Sequence, residues 1–100
     1  MFLVLVTYTK PLEEVDNSLE DHVMFLNKYY EQKKFVCSGR RNPRIGGVIL
    51  ANVNTSQEME AIIQEDPFYF RKIAEYEVIE FLPTKFDEKF KVFIEDGEQA

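Results

Sequence analysis

The chain opens on an apolar run, Phe2 to Tyr8, whose Val, Leu and aromatic content marks a strand. Pro11 with Glu13, Glu14 and Asp16 then reads as a polar connection. After it the period changes. Leu19, Val23, Leu26 and Tyr30 recur at helical spacing, and Asn17 with Glu20 three residues later makes a box-like cap, so a helix is predicted that ends near Lys33 and Lys34. Phe35 to Ser38 reads as a second strand, Gly39 to Arg44 as a polar turn region containing Pro43, and Gly47 to Val53 as a third strand forming a hairpin with the second. Thr55 and Glu58 form a T-x-x-E box that opens a second helix with the stripe Met59, Ile62 and Ile63. That helix must stop around Asp66, because Pro67 disfavours helical geometry in the residue before it. A turn carrying Phe68 to Lys72 follows. Tyr76 to Leu82 then sets Tyr76, Val78, Ile79 and Phe81 against Glu75, Glu77 and Glu80 as a fourth strand, closed by Pro83.

The order βαββαβ predicts an α+β protein: a ferredoxin-like arrangement with an antiparallel four-stranded sheet and both helices on one face. Residues 1–84 form that domain. Residues 85–100 lie outside the order, and Phe86, Phe90, Val92, Phe93 and Ile94 are too apolar for a solvated tail. An extra edge strand around Phe90 to Ile94 is expected there, with Glu95 to Ala100 as a frayed acidic terminus. The sheet face without helices would expose alternating apolar side chains to water, so a homodimer is expected.

Right-handed crossovers set the two helices side by side and antiparallel, so the start of the first neighbours the end of the second. His22, the one histidine, and Asp66 are thereby brought to one edge of the sheet, where Ser38-Gly39-Arg40 ends the second strand. Leu26 and Tyr29 share the side of the helix that carries His22, which turns the ring inward. A carboxylate that accepts a bond from one imidazole nitrogen fixes the tautomer and leaves the other nitrogen to take or give a proton. Around such a pair, Ser38 could orient a substrate hydroxyl, Gly39 would let a ligand approach the backbone, and Arg40, Arg41 or Arg44 could hold an anionic oxygen.

Each residue also has a plainer role. His22 could be a core histidine satisfied by a backbone carbonyl, Asp66 a cap on the turn at Pro67, and Ser38 and Gly39 ordinary turn formers. Tyr29, Tyr30, Phe68, Tyr69 and Phe70 suit a core or a dimer contact. Cys37 should point away from Ser38 and pack as a small apolar group.

Composition narrows the function classes. A chain of 100 residues with 45% apolar content supports one small core. The net charge of −6 argues against nucleic acid, whose binders neutralise phosphates with a basic face. Phe2 to Val6 is too short to span a membrane and no charged segment precedes it, which predicts a soluble, cytoplasmic protein. One cysteine permits no internal disulfide, no Cys or His cluster has metal-ligand spacing, and one histidine without tryptophan fits haem poorly, so neither metal nor cofactor is expected.

The pattern His22-x-x-Phe25-Leu26, Ser38-Gly39, Gly46-Gly47-Val48-Ile49, Asp66-Pro67-Phe68 and Phe81-Leu82-Pro83 resembles the YciI-like family, also described as the YCII-related domain, over roughly residues 1–83. The resemblance implies a ferredoxin-like fold that dimerises as an α+β barrel, with a pocket holding a catalytic His-Asp pair, here His22 and Asp66. Some members resemble muconolactone isomerase in fold, and one branch contains a dehydrochlorinase acting on a chlorinated hydroxyhydroquinone. Two departures stand out: Arg40 where proline is common, which could change the pocket's charge preference, and Lys33-Lys34 in place of a frequent glycine. The expectation is a small cofactor-free lyase or isomerase that moves a proton on a cyclic or carbonyl compound. A non-catalytic ligand-binding dimer is the alternative.

Overall fold

The N-terminal apolar run becomes a central strand. In the computed structural model, which describes residues 1–94, β1 (Phe2–Tyr8) pairs antiparallel with both β3 (Gly46–Ala51) and β4 (Ala74–Glu80), and β2 (Phe35–Arg40) pairs with β3. The strand order is β2-β3-β1-β4, the ferredoxin-like arrangement. Alternation along β1 sends Phe2, Val4 and Val6 into the core beneath the helices, while Leu3 and Leu5 face the other way and stay half-buried. Register places Leu50 and Ile79 on either side of Leu3 on that helix-free face.

The first helix, α1, spans Leu12–Glu31 and starts directly after Pro11, five residues ahead of the expected cap at Asn17. Proline suits a helix entrance, where an amide hydrogen would have no partner, and Glu13 and Glu14 sit favourably at the positive end of the helix dipole. The acidic stretch is therefore the helix's first turn, not a connection. Its inner stripe is also rotated from the expected one: Val15, Ser18, Phe25 and Tyr29 are buried, whereas Leu19 and Val23 are exposed at 38% and 43%. His22 lies within the buried arc.

The second helix, α2 (Ser56–Ile63), begins as the T-x-x-E box predicts, with the Thr55 hydroxyl accepting from the Glu58 amide at 3.1 Å, and buries Met59, Ile62 and Ile63. The expected turn after Asp66 is a separate turn of helix, α3 (Pro67–Phe70), which packs on α1. β4 starts at Ala74 because it matches β1 residue for residue, from Tyr8 opposite Ala74 to Phe2 opposite Glu80. In β2 the register shifts between Phe35 and Cys37, so Phe35 and Ser38 both face the helices. Cys37 is exposed rather than packed, because it lands on the helix-free face.

The segment after Pro83 corrects another expectation. Glu88–Phe93 is a 3-10 helix and not an edge strand. The Asp87 carboxylate accepts from the Lys89 amide at 2.9 Å and starts the turn, and Phe86, Phe90 and Phe93 meet in sequence as tilted rings with centroids 6.4 and 5.3 Å apart. This arm is tied to one end of the sheet by Phe81 N–H to Met1 O and by Asn52 Nδ2–H to Phe93 O. Glu95 to Ala100, expected to fray, lie outside the described residues.

Gly46 has no room for a side chain, since a Cβ there would stand 1.7 Å from the Val6 carbonyl oxygen in the neighbouring strand. Gly46→Ala is expected to lose about 3 kcal/mol or more in urea denaturation. Gly39→Ala, whose Cβ would meet nothing within 4 Å, should stay within about 0.5 kcal/mol of wild type.

Candidate functional site

Asp66 is the N-cap of α3: its Oδ1 accepts from the Phe68 amide at 3.0 Å, and Pro67 supplies the first helical position. The same Oδ1 lies 2.8 Å from His22 Nδ1 on α1. The other oxygen, Oδ2, accepts from the Tyr76 hydroxyl on β4. Three donors from three elements thus converge on a carboxylate with 0% exposure, so capping and the histidine contact hold together. An acceptor-only carboxylate assigns the Nδ1 proton to His22 and leaves Nε2 as the nitrogen with no bond to Asp66.

Phe68 fixes the ring from below. Its centroid is 4.1 Å from that of His22 with the planes 4° apart, and Tyr8 meets Phe68 edge-on at 5.9 Å. Arg71, just after α3, reaches α1 by Nη1 to the buried Ser18 hydroxyl at 2.9 Å and Nη2 to Asp21 Oδ2 at 3.0 Å. That fork holds the two helices in the register that the His22–Asp66 contact needs.

His22 lines a cavity of about 270 Å³. Ser38, Gly39 and Arg40 line it as well, so three strand residues and one helix residue meet at one hollow. Leu19 and Val23, expected in the core, form its wall instead, which explains their exposure. Asp66 stands behind the histidine and does not line the cavity. Ser38 Oγ is 2.7 Å from the Tyr30 hydroxyl. Of the three candidate arginines only Arg40 lines the hollow; Arg41 donates to the Thr7 hydroxyl at 3.0 Å and Arg44 to Asp16 at 2.6 Å. Among the described residues no group of three or more His, Cys, Asp or Glu side chains could hold a metal ion.

Sequence reasoning missed Tyr76 and Arg71. Tyr76 carried one readable signal: a tyrosine on the inward phase of a strand needs a partner for its hydroxyl. Arg71 carried none, because its partners on α1, Ser18 and Asp21, are 53 and 50 residues away along the chain.

Comparison with known proteins establishes the family and the fold. The family model of the YCII-related domain matches residues 1–82. The chain belongs to that family. Among solved structures it is similar to 5-chloro-2-hydroxyhydroquinone dehydrochlorinase from Burkholderia phenoliruptrix, in complex with 2,5-dihydroxybenzoquinone. The identity is 14%, the TM-score 0.67, and the match covers 89% of this chain and 98% of the other. At that identity the likeness establishes a shared fold. A search of curated proteins finds no match.

Burial pushes the Tyr76 hydroxyl well above the ordinary tyrosine value, and the neighbouring Asp66 charge adds to it. Since the folded-state value is the raised one, neutral Tyr76 contributes its full stability below about pH 10 and loses it as the pH climbs further. In alkaline titration followed by phenolate absorbance, folded wild type and Tyr76→Phe should therefore coincide through about pH 10. A wild-type curve larger by one phenol would mean that Tyr76 titrates freely.

Proposed function

We propose that this protein is a small enzyme of the lyase or isomerase type that transfers a proton on a small cyclic or carbonyl compound without a cofactor, using His22 as general acid and base. The carrying observation is that His22 is bonded through Nδ1 to a fully buried carboxylate while its ring lines a cavity. In this reading Nε2 takes a proton from an acidic C–H or O–H of the compound, and the released electron pair moves into the adjoining π system. Asp66 keeps the ring oriented and offsets the positive charge that develops on it, without taking the proton itself. The imidazolium then returns the proton at another atom, which is isomerisation, or a neighbouring group departs as an anion, which is elimination. Ser38 and Gly39 bind the compound at the strand side, and Tyr76 and Phe68 keep Asp66 and the ring in place.

The similar dehydrochlorinase, whose structure holds a dihydroxybenzoquinone, supports a small cyclic compound as substrate. The proposed assembly is a homodimer through the helix-free face, where Leu3, Leu5, Leu50 and Ile79 form an apolar row open to water in the single chain. A cytoplasmic location suits the single, exposed Cys37. No described helix is long and apolar enough to cross a membrane.

Ring nitrogen chemical shifts measured by NMR test the histidine's role. Wild type should hold the Nδ1-protonated tautomer, and Asp66→Ala should release the ring to the tautomer protonated on Nε2. An unchanged tautomer would remove Asp66 from the reading. In a screen of hydroxylated quinones and small lactones, turnover should fall by about 10²–10⁴-fold in His22→Ala. Full turnover in that variant would leave only a ligand-binding role. Sedimentation at micromolar concentration should give twice the 11.8 kDa chain mass, and a monomer would overturn the dimer.

A further inference from the structure

We infer that the compound taken by the cavity beside His22 is a flat monoanion the size of one ring, and that Arg40 selects it by pairing with its anionic oxygen. The inference rests on the reading of that cavity as a ligand site and adds the charge of what enters it.

Arg40 and Ser38 lie two residues apart on β2 and share a strand face. Ser38 meets Tyr30 of α1, so this face is the one turned toward the helices and the hollow. Across the ladder, Arg40 pairs with Gly47, and Gly47 pairs with Val6. The row Arg40-Gly47-Val6 therefore lacks a side chain in its middle, which leaves open space between Arg40 and the apolar Val6. Both Gly47 and Val6 line the hollow.

No acceptor among the described residues is hydrogen-bonded to Arg40. Its neighbours are occupied, Arg44 by a carboxylate and Arg41 by a neutral hydroxyl outside the hollow, so Arg40 alone of the three brings its charge to the rim, without a matching acid among the described residues. On a protein of net charge −6 such a rim is the exception. A guanidinium presents five donors in a planar fork and suits a carboxylate or an enolate oxygen. The remaining walls, Leu19, Val23, Leu26 and Phe68, are apolar and take a ring face. About 270 Å³ falls just below the range of roughly 300–1,000 Å³ that holds drug-sized ligands, a size that suits a single ring. At the wall, the Tyr30–Ser38 hydroxyl pair offers a place for a second polar substituent.

Two probes of equal shape separate charge from fit: 4-hydroxybenzoate and its neutral counterpart 4-hydroxybenzamide. Each is titrated at fixed ionic strength into wild type, Arg40→Gln and Arg41→Gln, with affinity read from the His22 ring signals by NMR. Wild type and Arg41→Gln should prefer the benzoate by about tenfold. In Arg40→Gln that preference should shrink to less than about twofold, with the amide's affinity unchanged. Equal binding of both probes to wild type, or a preference that survives Arg40→Gln or vanishes in Arg41→Gln instead, overturns the role of Arg40 while the cavity stands as a ligand site. Failure of both probes to move the His22 signals overturns the cavity reading and this inference together. Since Arg40 is exposed, the glutamine variant should fold as wild type does, checked by circular dichroism.

Discussion

A carboxylate sealed from water is tolerated only when its oxygens are bonded, and Asp66 meets that demand with donors drawn from three elements. The Phe68 amide ties it to α3, the imidazole to α1 and the phenol to β4. Remove any one and a buried oxygen loses a partner. The packing of α3 between α1 and the sheet is thus specified by hydrogen bonds as much as by apolar contact. The histidine's orientation is a by-product of satisfying that buried charge.

The hollow beside it arises from what the strands omit. Gly46 must be bare for β3 to approach β1, and Gly47 leaves the middle of a cross-strand row empty. Over this floor, α1 presents Leu19 and Val23, apolar residues that its own core does not use. The helix thus carries one stripe for the core and an adjoining one for the cavity.

Much of this was legible in the residues. Strand β1, the cap at Thr55 and the break at Pro67 each follow from local rules that tertiary structure did not override. A lone histidine on a helix, and an aspartate held before proline, gave the two partners their place once the order of elements was known. Other features lay beyond a one-dimensional reading. Pro11 and its acidic followers suit a loop and a helix entrance equally, and only Val15 and Ser18 buried on α1 decide for the helix. Two adjacent apolar stripes cannot be told apart by period, so Leu19 and Val23, which share the spacing of Leu26 and Tyr30, could not be assigned to a cavity wall. At the C-terminal arm, Phe86, Phe90 and Phe93 fit helical spacing, but a run of apolar residues masks it, and the Asp87 cap settles the matter.

Asp66-Pro67-Phe68 compresses three tasks into consecutive residues: the first anchors the imidazole, the second sets the bend, the third is the platform under the ring. Because one tripeptide does all of this, the spacing between anchor, bend and platform is fixed by the covalent chain itself. A single inserted or deleted residue would unseat anchor and platform at one stroke.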